Sequence, residues 1–128
     1  MTRHQYARLV LRAWCELASY DVRYARRGFG AIVDELRTQG VTGVATNGTE
    51  RGVASAVLLA SCFYWKPVLC LQQSVCVVRL LRRRGVAARL TIGYRPVPFL
   101  SHAWVEVDGR VINDLPAYQT RLRVLYTA

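Results

Sequence analysis

The apolar residues of this chain keep a helical period up to about Trp65 and a strand period after Gly85, and that change restricts the fold more than any other feature. From about Gln5 to Tyr24, the residues Tyr6, Leu9, Val10, Trp14 and Leu17 recur at three- and four-residue steps, the stripe of an amphipathic helix. Ala25-Arg26-Arg27-Gly28 then supplies a basic C-terminus and a glycine stop. A second short helix is predicted over about Ala31 to Gln39, with Ile32, Val33 and Leu36 inward. A third is predicted over about Glu50 to Phe63, burying Val53, Val57, Leu58 and Ala60. Val41 to Gly48 reads as loop from its Gly, Thr and Asn content.

Pro67 breaks the chain, and Leu71 to Arg84 reads as a buried helix. Arg82, Arg83 and Arg84 suit the negative end of its dipole, and Gly85 is its stop. Strands follow: Ala88 to Tyr94, then His102 to Val107 and Arg110 to Asp114 joined at Asp108-Gly109, with a proline-bearing loop over Arg95 to Leu100. Helices first and a small antiparallel sheet later make an α+β fold. It is predicted as a single domain over 1–128, with a helical part (1–64) and a part (65–128) holding one helix and antiparallel strands.

Composition narrows the class. With 52% apolar and 20% charged residues in 128, the chain has the makings of a core, not of a disordered segment. The longest uncharged apolar stretch, Val53 to Trp65, is too short to span a bilayer, and no secretory signal pattern is present, so a soluble, cytoplasmic protein is expected. Cys15, Cys62, Cys70 and Cys76 form neither a disulfide framework nor the clustered spacing of zinc ligands, so free thiols, no metal and no cofactor are expected. The net charge of +10 is carried by arginine, Lys66 being the only lysine. It suits nucleic acid, anionic lipid or an acidic protein partner, or simply solubility. No glycine-aromatic RNA-binding signature, zinc finger or helix-turn-helix accompanies it, which makes a nucleic-acid-binding module the lesser reading.

Chemistry concentrates at one cysteine. Cys70 follows the proline-containing break and opens the helix ending at Arg84, where the positive end of a helix dipole favours a thiolate and free N–H groups can hold an oxyanion. Cys76 sits mid-helix as a small core hydrophobe, and Cys15 and Cys62 also fall within helical patterns. Of the two histidines, His4 is close to an end that frays, whereas His102 opens a strand after a loop. A strand histidine is more often structural, but a helix-start cysteine makes a Cys–His pair the sharper reading.

An acceptor must orient the imidazole, and Asp108, Asn113 and Asp114 compete. Asp108 lies six strand residues from His102, about 20 Å away. Hairpin register separates the other two. A two-residue Asp108-Gly109 turn pairs Val107 with Arg110 and Trp104 with Asn113, placing Asn113 diagonal to His102 and turning Asp114 away. A three-residue Val107-Asp108-Gly109 loop, with Gly109 left-handed, pairs Glu106 with Arg110, Val105 with Val111 and Trp104 with Ile112. The second register matches opposite charges and apolar neighbours, and it sets Asp114 opposite His102. On this basis Asp114 is the expected third member.

Cys70-Leu71, LLRRRG (Leu80 to Gly85), ARLTIGY (Ala88 to Tyr94), Pro98-Phe99 and SHAWVEVDGRVIND (Ser101 to Asp114), in this order and spacing, resemble the transglutaminase-like leader peptidases of lasso-peptide biosynthesis. The likeness covers about Trp65 to Asp114, and it departs from the family at Gln72-Gln73 and at Cys76. It implies a transglutaminase-like (papain-like) cysteine peptidase core with a Cys70–His102–Asp114 triad. It implies a substrate too: a ribosomally made precursor peptide, cut at the leader–core junction, with a separate leader-binding protein and an ATP-using lasso cyclase as partners. The chain's length suits the stand-alone form without a recognition domain. A transglutaminase or other acyltransferase would use the same triad, with an amine in place of water resolving the acyl-enzyme. The excess arginines, among them Arg26, Arg27, Arg82, Arg83 and Arg84, are expected to form a docking face.

Overall fold

The structure, a computed structural model, describes residues 2–96, 99–113 and 122–128. Its elements run α1 (Arg3–Thr38), α2 (Thr49–Cys62), α3 (Cys70–Arg83), β1 (Ala88–Pro96), β2 (Phe99–Val107), β3 (Arg110–Val111) and β4 (Arg123–Thr127). This is an α+β arrangement of three helices and one antiparallel sheet of order β3-β2-β1-β4.

Thr2 starts α1 with a capping box, its hydroxyl accepting from the Gln5 N–H while the Gln5 side chain accepts from the Thr2 N–H. The expected glycine stop is a kink: Gly28 takes φ 81°, ψ 179°, and the helix resumes beyond it to Thr38. The two predicted helices are therefore two arms of one bent element.

One cluster of buried side chains joins Leu9, Ala13 and Leu17 of α1, Val53, Val57 and Ala60 of α2, Val75, Val78 and Leu81 of α3, and Leu90, Val105 and Val107 of the sheet. Leu58, expected inward, is exposed instead, because α2 turns its Val53–Ala56–Val57–Ala60 face to the core. Arg82, expected on a docking face, is buried as well. Its guanidinium donates to the carbonyls of Leu36 and Ala88, so it closes the end of α1 against the sheet. Gly85, with φ 84°, ends α3 where a Cβ would lie 2.5 Å from the Ala45 nitrogen, so only glycine fits beneath the 43–45 loop.

The β1–β2 hairpin is longer than expected: Arg95 pairs with Leu100 and Pro96 with Phe99, inside the segment read as loop. The β2–β3 hairpin corrects the expected register. Val107 pairs with Arg110 and Glu106 with Val111, with φ 51° at Asp108 and 76° at Gly109, the signature of a two-residue type I′ turn. The charge match that favoured the other register is not used. Glu106 accepts the Thr91 hydroxyl at 2.5 Å, and Arg110 reaches Glu50 at the start of α2. No helix among the described residues is long and apolar enough to cross a membrane.

Candidate active site

Cys70 is the first residue of α3 and is half-buried. Its N-cap is Leu69, whose side chain cannot accept a hydrogen bond, so no side chain caps the first turn of α3. Three anchors fix this helix start. The Gln72 amide donates to the Leu17 carbonyl at 3.0 Å in a buried contact, giving the unusual Gln72 a role in holding α3 to α1. Ahead of Cys70, Lys66 pairs with Asp21 at 2.7 Å, and the Tyr64 hydroxyl donates to the same carboxylate. Burial raises the Asp21 pKa, but hydrogen bonds from Lys66, Tyr64 and Gln72 outweigh it and hold the carboxyl below its ordinary value.

The other cysteines separate as their positions require. Cys76 is wholly buried in the core, and burial pushes its thiol pKa far up. Cys15 and Cys62 are exposed, each within a helix. In the segment leading to Cys70, Trp65 and Leu69 are 74% and 72% exposed.

His102 lies on β2 opposite Gly93 of β1, half-buried and stacked on Trp104 with ring centroids 6.4 Å apart and an interplanar angle of 25°. A Cβ at residue 93 would stand 2.5 Å from the Trp104 ring, so the missing side chain of Gly93 makes room for that indole. Ala103, Val105 and Val107 face the core with α3, which sends His102 and Trp104 to the other face of the sheet. The first turns of α3 are tied to β2 at its β3 edge.

That edge is built by residues read from the sequence in another role, as for Asn113, or in none, as for Ser74. Ile112 N–H donates to the Val105 carbonyl, the last backbone bond of the β2–β3 ladder among the described residues. The return bond is replaced: Val105 N–H donates 2.8 Å to Asn113 Oδ1. Asn113 Nδ2 donates 3.1 Å to the hydroxyl of Ser74, and that hydroxyl donates 3.2 Å to the carbonyl of Ala103. Ser74 stands one helical turn after Cys70, Ala103 follows His102, and Asn113 precedes Asp114. One buried hydroxyl thus links the immediate neighbourhoods of all three expected triad residues. Asn113 serves this link and is not the imidazole's partner that the two-residue register would have made it. Asp114 itself lies outside the described residues. Among the described residues no three His, Cys, Asp or Glu side chains group as metal ligands.

A thiol at a helix start against an antiparallel sheet defines a class, and the family comparison agrees with it: the chain belongs to the transglutaminase-like superfamily, whose profile matches residues 14–127. The chain is similar to the microcin J25-processing protein McjB of Escherichia coli, 48% identical over 56 residues. That stretch is 44% of this chain and 27% of McjB, so the match spans about a quarter of the relative's length. No solved structure matches the chain. The resemblance read from the sequence is borne out in both the superfamily and the kinship to a peptide-processing protein.

Proposed function

We propose that this chain is a cysteine peptidase that removes the leader from a ribosomally made lasso-peptide precursor, with Cys70 as nucleophile, His102 as general base and Asp114 as the carboxylate orienting the imidazole. The observation that carries this is the Ser74 hydroxyl, which holds the first turns of α3 to the β2 carbonyl one residue from His102 and to the side chain one residue before Asp114. Similarity to McjB supports a processing role, and the superfamily supports cysteine chemistry.

In this reading Cys70 Sγ attacks the carbonyl carbon at the leader–core junction while His102 takes the thiol proton. The oxyanion faces the uncapped N–H groups at the start of α3. His102 returns the proton to the departing core amine, leaving a thioester between Cys70 and the leader. Water, deprotonated by His102, then frees the leader as a carboxylate and restores the thiol. Exposed Trp65 and Leu69, in the segment leading to Cys70, receive apolar side chains near the cut. A leader-binding protein delivers the precursor, and a cyclase consumes the freed amine.

The test is cleavage of a candidate precursor followed by mass spectrometry, with and without the leader-binding protein. Cys70→Ala should leave the precursor intact, whereas Cys15→Ala and Cys62→Ala should cut it. Full cleavage by Cys70→Ala would end the proposal. Transfer of the leader to an added amine, in place of its release as an acid, would replace it with an acyltransferase.

A further inference from the structure

At the opposite end of α3 from Cys70, a groove of about 760 Å³ opens between α1, the loop before α2 and the C-terminus of α3. Arg8 and Arg12 line it from α1, Arg83 and Arg84 from the end of α3, and no described acidic residue lines it. Its remaining surface is mixed, with Leu9 and Leu80 buried in its floor and Tyr6 held there by a hydrogen bond to Ser55 at 2.6 Å.

Five acidic residues elsewhere are held in ion pairs. Glu16 pairs with Arg23, Arg79 and Arg83, Glu35 with Arg23, Arg27 and Arg79, Asp21 with Lys66, Asp34 with Arg37, and Glu50 with Arg110. Arg8, Arg12 and Arg84 form no ion pair with a described acidic residue. Like charges converging in a concavity repel one another, and an anion supplied from outside relieves that repulsion.

We propose that this groove is an exosite for an acidic segment of the peptide substrate. The inference rests on the reading of the chain as a precursor-cutting peptidase. Guanidinium groups match carboxylates in geometry as well as charge. The apolar floor of Leu9 and Leu80 suits side chains interspersed among those carboxylates, and a nucleic-acid backbone would make no use of it. The groove begins 10 residues of α3 beyond Cys70, at Leu80. At ~1.5 Å per helical residue that is about 15 Å, so an extended peptide needs at least about five residues between the cut and its acidic segment. The segment would hold the precursor while its junction reaches Cys70, as a second contact raises effective concentration at the first.

The experiment measures anisotropy of a labelled Glu-rich peptide with interspersed Leu, of its Glu→Lys counterpart, and of a single-stranded oligo-dT, on the full chain over a salt series. The Glu peptide should bind, its affinity falling with salt, and the Lys peptide should not. Arg8→Glu with Arg12→Glu should weaken the Glu peptide about tenfold, whereas Arg26→Glu with Arg123→Glu, the same charge change outside the groove, should not. All four positions are exposed, and a thermal melt checks that each variant folds. Equal losses in the two double variants, or no loss in either, would overturn the exosite. Tighter groove-dependent binding of oligo-dT than of the Glu peptide would do the same. The binding readout needs no cleavage. Binding that persists where no precursor is cut counts against the peptidase reading only, and cleavage without binding counts against the groove only.

Discussion

Asn113 Nδ2 donates to Ser74 Oγ at 3.1 Å, across 39 residues of sequence, and this contact joins the helix carrying Cys70 to the segment leading into Asp114. The Ala103 carbonyl points to the β3 side of β2, beyond the Arg110–Val111 pairing, and Ser74 donates to it there. Removing the hydroxyl takes a donor from Ala103 O and the acceptor from Asn113 Nδ2. Ser74→Ala should therefore cost about 1–3 kcal/mol in chemical denaturation, with a fall in peptide turnover greater than the change in KM. Ser74→Thr keeps the hydroxyl and should recover part of the turnover. Wild-type stability in Ser74→Ala would remove the clamp.

Asn113 and Asp114, adjacent in sequence, should fail in different ways. Asn113→Ala leaves Val105 N–H without its acceptor and Ser74 without its donor, so stability should fall first. Asp114→Ala, if this carboxylate orients the imidazole, should lose about 10³–10⁴-fold in turnover with little change in melting temperature. Measuring both quantities for both variants checks the division of labour. Equal catalytic losses would return Asn113 to the candidate triad.

Gly93 carries a prediction of overpacking. An added Cβ would lie 2.5 Å from the Trp104 ring and 2.9 Å from Leu122 Cβ, in the strand pair that holds His102. Gly93→Ala should cost roughly 1–3 kcal/mol and shift the indole that stacks on the imidazole. Denaturation with tryptophan fluorescence reads both effects. A neutral substitution would mean that the ring moves aside freely.

Much of this was legible in the sequence because it is local. The stripe through Leu9 and Leu17, the break at Gly28, the start of α3 at Cys70 and the turn at Asp108-Gly109 each follow from period, glycine placement or helix-end chemistry. The hairpin register was misjudged for an identifiable reason. Glu106 and Arg110 look like cross-strand partners within the hairpin, yet Thr91 and Glu50 satisfy them from other elements. Arg82 looked like a solvated charge in an arginine run, but the end of α1 and the start of β1 close around it. Ser74 carries no signal in α3 because its partners stand 29 and 39 residues away. β4, Arg123–Thr127, likewise takes its place only through pairing with β1.

Thiol chemistry should sort the cysteines into three groups. Cys76 is buried among core side chains and its thiol is held protonated, so it should resist iodoacetamide until the protein unfolds. Cys15 and Cys62 are open to reagent, while Cys70 combines access with a helix start. Peptide mapping after brief alkylation at neutral pH should find Cys70 modified ahead of the two exposed thiols and Cys76 unmodified. Faster labelling of Cys15 or Cys62 would argue that the α3 terminus confers no reactivity.

Asp21 ties the approach to Cys70 to pH. Its carboxyl titrates below the ordinary value of 3.8: burial raises it, but hydrogen bonds from Lys66, Tyr64 and Gln72 more than offset that. A carboxyl whose folded-state pKa is depressed contributes stability above its unfolded value, and that contribution is lost as pH falls through the folded value. The Asp21 contacts should therefore act fully at neutral pH and fade below about pH 4. Asp21→Asn keeps the shape and removes the charge that Lys66 faces at 2.7 Å. Its melting temperature should lie below wild type near neutrality, and the two should converge in acid. Because Lys66 is partly exposed, salt should narrow the neutral gap without closing it, since the Tyr64 hydroxyl bond remains. A gap that persists unchanged in acid would mean that the carboxamide disturbs packing, and that charge at Asp21 has no part in holding the strap before Cys70.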